Sequence, residues 1–185
     1  MAAIRKLEAR ASAAEPVLYS DEVDIHLNPK IGRDWMLRGH QRRIVTPGKN
    51  EKFYLAGALD VRTGRLHRTG AARKNAALFC RLLWLVASRY RHAERIHLIV
   101  DNYGIHKARS TRKALAALAG RVVLHFLPPY CPDANRIERV WEDLHANVTR
   151  NHRCKTLLRP LDNARRYLDG YRWRRALRRP VARAA

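Results

Sequence analysis

An α/β domain built on a mixed sheet is the fold the sequence predicts, and three observations predict it. Runs of strand type come first, between Val17 and Arg68. Helical and strand-like segments then alternate from Asn75 to Thr149. Prolines and glycines fall at the joints between them. At 185 residues the chain is the size of one ordinary domain. It can bury enough surface to fold without disulfides or structural metal.

The elements follow in order. Ala2 to Ala14 is rich in Ala, Arg, Lys and Glu, which favour helix, and Pro16 stops it, so residues 1–16 read as a lead-in helix. From Val17 the period changes to two. Val17, Tyr19, Val23, Ile25 and Leu27 share one face of a strand, and Leu18, Ser20, Glu22, Asp24 and His26 take the other. Asn28-Pro29 ends it. Trp35 to Leu37 and Arg42 to Thr46 read as a second, looser pair of strands. Phe53 to Leu59 is a continuous apolar run that turns at Arg62-Thr63-Gly64 into Arg65 to Arg68, a hairpin whose first strand is covered on both faces.

Helical spacing returns at Asn75 to Arg91, with Leu78, Leu82, Leu85 and Val86 on one stripe. Ile96 to Val100 is a buried parallel-type strand, and Lys107 to Ala119 is a helix ended by Gly120. Val122 to Leu127 is a further strand. A stiff Pro128-Pro129-Tyr130-Cys131-Pro132 segment leads into a helix from about Arg136 to Thr149. Antiparallel strands first and βαβ units second match a ribonuclease H-like fold. The domain is expected over residues 17–154, and 155–185 reads as a basic helical tail with Tyr167, Tyr171 and Trp173 among its arginines.

Charge narrows the function. Lys and Arg total 38 against 16 Asp and Glu, a formal net charge of +22, with a pI near 11.2. A soluble surface needs a net charge of only about 2–8 in magnitude, so a polyanionic partner is expected. Basic residues interleaved with aromatics suit a nucleic-acid backbone; a solvated helical tail is the plain alternative. Cys80, Cys131 and Cys154 are widely spaced and form no C-x-x-C pair, which fits reduced thiols in a cytosolic compartment. The apolar run Ala76 to Ala87 is too short to span a bilayer.

Three acids stand at turning points of this pattern. Asp21 lies on the apolar face of the first strand, where a carboxylate costs several kcal/mol unless paired or bound to a cation. Asp101 ends the strand Ile96 to Val100, where ligands bind in open α/β sheets, although Asp-Asn-x-Gly is also ordinary turn chemistry. Glu138 opens the last helix, where it could instead close a capping box with Asn135 as N-cap. Taken together, two strands and a helix can bring three carboxylates to one point, and such a cluster is stable around cations. Hard oxygen ligands suit Mg²⁺ or Mn²⁺. Two such ions about 4 Å apart serve phosphodiester chemistry. Asp24 falls on the opposite strand face, Asp60 opens a turn, and Glu142, one helical turn on, is the reserve for the third ligand.

Tyr19-Ser20-Asp21-Glu22, Leu98-Ile99-Val100-Asp101-Asn102 with His106-Lys107, and the stretch Leu127 to Trp141 together resemble the DDE transposases of bacterial insertion sequences, in the mariner-like superfamily. The third stretch is similar to the signature P-P-Y-S-P-x-L-N-P-I-E-x-x-W, and the resemblance covers about Val17 to Cys154. It implies that Asp21, Asp101 and Glu138 are catalytic and hold two Mg²⁺ or Mn²⁺ ions. It implies further that such a protein hydrolyses DNA at element ends and joins the freed 3′-hydroxyl to target DNA. By the same resemblance Asn102, His106, Lys107 and Asn135 support the acids or face DNA, and Arg139, Arg150, Arg153 and Lys155 contact DNA. Double-stranded DNA is the expected partner, with two copies of the chain on it, in the bacterial cytoplasm at the nucleoid. Arg136 stands where the signature has Pro. The family's N-terminal helix-turn-helix region does not fit before Val17, so a separate polypeptide is expected to supply it. A stand-alone nuclease and a DNA-binding remnant remain the alternatives.

Overall fold

The structure, a computed structural model, describes residues 1–41, 43–129 and 134–169. Its elements are α1 (Ala2–Ala9), β1 (Val17–His26), β2 (Lys52–Asp60), β3 (Leu66–Ala71), α2 (Ala76–Arg89), β4 (Ile96–Val100), α3 (Arg109–Ala117), β5 (Val122–Phe126), α4 (Glu138–Leu144) and α5 (Leu158–Asp169). The strands form one sheet in the order β3-β2-β1-β4-β5. β1, β2 and β3 run antiparallel, whereas β4 lies parallel to β1 and β5 parallel to β4.

Both faces of this sheet are covered. On one, Val17, Tyr19, Val23, Ile25 and Ile99 pack against Ile4 of α1, Ile137, Val140, Trp141 and Leu144 at α4, and Leu161, Ala164 and Leu168 of α5. On the other, Leu18, Ala56, Ala58, Leu98 and Val100 pack against Leu78, Phe79, Leu82, Leu83 and Val86 of α2 and Ala114 of α3. β1 is therefore buried on both sides, not on one as its alternation suggests. Leu18 and Ser20 on its second face are fully buried. The apolar stripe of α5 puts this helix on the same core as β1, so the basic segment after residue 154 begins as a packed element. Tyr171 and Trp173 lie outside the described residues.

Two expected strands are absent. The segments containing Trp35 to Leu37 and Arg43 to Thr46 are irregular, and Arg42 lies outside the described residues. Strand-prone residues need a ladder partner and a covered face. Here Trp35 is 100% and Val45 84% exposed. The connection is tied down at its start instead, by a bridge between Lys30 and Arg150 and by two hydrogen bonds between Gly32 and the Asn151 side chain. The last helix also differs: regular α4 ends at Leu144, and a π-helical turn, His145–Thr149, follows.

One close approach sets the height of α4 above the sheet. Gly57 of β2 pairs with Asp21 of β1. A Cβ at Gly57 would meet the Trp141 ring at 2.8 Å and Ile137 Cδ1 at 3.1 Å. Glycine is needed there so that the indole can lie on the strand. Gly57→Ala is expected to lift α4 and cost about 1–3 kcal/mol, as overpacked cores do. Urea unfolding measures this, and a variant as stable as the parent would show that α4 does not rest on Gly57.

Candidate metal centre for DNA cleavage

Asp21 is held at the middle of β1, on the face that α4 covers. It is buried, 8% exposed. The register of β1 against β4 pairs Leu18 with Leu98 and Tyr19 with Ile99. Asp101 follows directly on the last residue of β4, just beyond this paired stretch. Glu138, the first residue of α4, lies on the face of β1 that carries Asp21, and the two carboxyls influence each other's protonation.

The electrostatics of this contact are severe. Burial, with Glu138 and then Glu22 adding to it, pushes Asp21 from 3.8 up to about 8. Burial also raises Glu138 above the usual carboxylate range, against the hydrogen bond from Asp21. Both shifts disfavour two charges at this contact. Asp101 behaves oppositely. His106 Nε2 stands 2.9 Å from its Oδ1, and that contact, with the Tyr103 N–H, holds Asp101 below its ordinary value. His106 is itself buried, its ring 4.3 Å from that of Phe79 in α2.

Asn135 does not cap α4. The helix has Ile137 at its N-cap position without a side-chain cap, and Asn135 Nδ2 donates instead to the Ser20 carbonyl at 3.2 Å. The capping-box alternative for Glu138 is thereby removed. Asn135 ties the start of α4 to β1 one residue before Asp21. Asn102 Nδ2 donates to the Leu127 carbonyl, and Lys107 Nζ reaches Asn102 Oδ1 at 3.2 Å, so these two brace the loop after β4.

Glu22 and Lys74 form part of the centre and carried no signal in the sequence. Glu22 lies on the β1 face that the alternation assigns to water, yet its side chain is 1% exposed and 3.4 Å from Lys74 Nζ. Burial works against the Lys74 charge, but Glu22, Asp21 and Asp101 together raise it. The missed clue is Leu18: an apolar residue on the second face marks that face as covered. Asp24 is outside the site, paired with His26 at 2.5 Å and Lys30 at 3.5 Å. Asp60 accepts from the Arg62 and Thr63 N–H groups and from the Tyr90 hydroxyl, which accounts for it as a turn residue. Glu142, on the exposed side of α4, adds charge to Glu138. Arg150, Arg153 and Lys155 are exposed along the segment before α5, and Arg139 is half-buried.

The sequence matches the DDE superfamily endonucleases over residues 16–159. This chain belongs to that family. It is 50% identical over 169 residues to the "Insertion element IS630 uncharacterized 39 kDa protein" of Shigella sonnei, a match covering 91% of this chain and 49% of the relative. The chain thus spans about half the length of that curated relative. Its fold is similar to that in the Mos1 transposase paired-end complex with left transposon end, with a TM-score of 0.67 at 17% identity over 96% of this chain and 54% of that one. The Mos1 mariner paired-end complex with Mn gives 0.67 at 16% identity, over 95% and 55%. These structures show a ribonuclease H-like fold. No helix among the described residues is long and apolar enough to cross a membrane.

Carboxylate oxygens around a buried proton-sharing pair fit a hard divalent cation. Among the described residues no three His, Cys, Asp or Glu side chains stand close enough to hold one ion. Asp101 Oδ1 is engaged by His106 and the Tyr103 N–H.

The pH dependence follows from Asp21. Folded, it keeps its proton up to about 8, whereas unfolded it releases it near 3.8. Between those values the native state binds more protons, so stability is fully present below the lower value and declines as pH rises through the higher. Without divalent cations the melting temperature is expected to fall across this window, and Asp21→Asn to flatten the fall. A wild-type profile that is already flat would contradict the buried pair.

Proposed function

We propose that this chain is the catalytic domain, residues 17–154 with α5 packed on it, of an insertion-sequence transposase. Asp21, Asp101 and Glu138 would hold two Mg²⁺ or Mn²⁺ ions for cleavage of DNA ends and strand transfer. The observation that carries the reading is the buried Asp21–Glu138 contact beside Asp101, at the centre of a chain whose net charge is +22. A like-charge pair at this depth is stable with a proton or a cation. A basic surface brings a polyanion to it.

When bound, the ions activate an attacking oxygen and stabilise the leaving one. The chain's own residues prepare the site. Asp21 and Glu138 would hold the cations as carboxylates, with the cation charge taking the place of the proton that eases their contact. His106 fixes the orientation of Asp101 from behind. Lys74 offsets the acids from the α2 side of β1. In hydrolysis, water oxygen bonds to phosphorus, the bond to the 3′ oxygen breaks, and that oxygen leaves as a hydroxyl. In joining, this hydroxyl replaces water as the nucleophile.

Arg150, Arg153 and Lys155 support DNA contact through their exposure and charge. Recognition of element ends by a helix-turn-helix polypeptide, pairing of two copies on DNA and a place in the bacterial cytoplasm belong to the same proposal.

A plasmid-nicking and strand-transfer assay with Mg²⁺ or Mn²⁺ tests the reading. Metal provides several kcal/mol of transition-state stabilisation. Asp21→Asn, Asp101→Asn and Glu138→Gln are therefore each expected to lose at least about a hundredfold in cleavage, with DNA affinity kept or raised. Near-parental cleavage in any one removes that residue from the site. DNA bound without nicking by the parent would favour a DNA-binding remnant. Nicking without joining would favour a nuclease. Separately, replacing Arg153 and Lys155 by Ser should reduce the salt slope of DNA affinity by about two, since each phosphate contact contributes about 0.9. An unchanged slope would place both residues away from DNA.

A further inference from the structure

The start of α4 has no side-chain cap, yet it must hold Glu138 against a carboxyl that repels it when ionised. Something outside the helix fixes it. Arg136, two residues before Glu138, reaches across to α1. Its Nε lies 2.7 Å from Glu8 Oε1, and its Nη2 donates to Glu8 Oε2 at 3.1 Å. The Tyr19 hydroxyl donates to Glu8 Oε1 at 3.1 Å. Tyr19 stands two residues before Asp21, on the same face of β1.

We propose that Glu8, Tyr19 and Arg136 form a clasp that positions Glu138 over Asp21, so that α1 belongs to the cleavage centre. This rests on the metal-binding reading above. Each arm of the clasp is one step from a proposed ligand: Tyr19 fixes the strand that carries Asp21, and Arg136 fixes the helix that carries Glu138. Glu8 joins them. One charge-assisted hydrogen bond, from Nη2, and the close ion-pair contact of Nε hold the guanidinium against the Glu8 carboxylate. The side chains of this pair are 22% and 14% exposed, so water screens it far less than a surface pair. Ile4 is buried in the core beneath α1, so the helix that carries Glu8 is itself anchored.

Glu8, Tyr19 and Arg136 are positioning residues and do not touch the reacting atoms.

Mn²⁺ binding to the full chain without DNA, followed by calorimetry or electron paramagnetic resonance, tests this. Outer partners of metal ligands are typically worth about 10–100-fold in affinity. Glu8→Gln is expected to weaken Mn²⁺ about tenfold or more, and Tyr19→Phe by a few-fold. The reversed pair, Glu8→Arg with Arg136→Glu, is expected to recover most of the loss. Leu118→Ala, which loosens the opposite core layer, should lower the melting temperature and leave Mn²⁺ affinity at the parental value. A folded Glu8→Gln or Tyr19→Phe that binds Mn²⁺ like the parent, while Asp21→Asn loses it, overturns the clasp alone. If Asp21→Asn also binds like the parent, the metal-centre reading falls and the clasp with it.

Discussion

Everything at the centre of this molecule depends on one unfavourable contact, the burial of Asp21 beneath Glu138. A carboxylate pair out of water costs several kcal/mol until a proton or cation intervenes. The fold offsets that cost with neighbouring apolar burial. Ile137, Val140, Trp141 and Leu144 fasten α4 to the sheet. At about 1.5–3 kcal/mol for each buried side chain, these four outweigh the penalty. The apolar face of α4 thus holds its acidic end where solvation would not leave it.

The geometry around that contact is layered. β1 and β4 are parallel neighbours at the sheet's centre, and Asp101 follows β4 directly. Gly57 lets α4 come down onto the strands, and Asn135 and Arg136 fix its uncapped start. On the far side of β1, Lys74, Glu22 and His106 form a second tier beneath the acids. Buried acids thus lie inside a chain of net charge +22, so the interior and the surface carry opposite charge.

Much of this was legible in the sequence, for identifiable reasons. The mixed sheet, the apolar run Ile96 to Val100 and the helix after Asn75 follow from periodicity, and Asp21, Asp101 and Glu138 were singled out from their places in that pattern. Other features were not legible because they depend on contacts distant in the chain. Nothing near Glu22 announces Lys74, and nothing near Arg136 announces Glu8, more than a hundred residues away. Gly57 reads as part of an apolar run until Trp141 is seen against it. The strands expected around Trp35 and Val45 failed for the converse reason. Local propensity was there, but no neighbouring strand was.

The central claim is that Asp21, Asp101 and Glu138 act as one metal centre, and it predicts a change in Asp101. In this structure its carboxylate is turned to His106. A crystal structure of the chain with Mn²⁺, phased to show anomalous scattering, is the most direct measurement. The account predicts Mn²⁺ density between Asp21 and Glu138, with a carboxylate oxygen of Asp101 among its ligands. Crystals at saturating Mn²⁺ with no metal at Asp21, or with Asp101 left outside the coordination sphere, would contradict it.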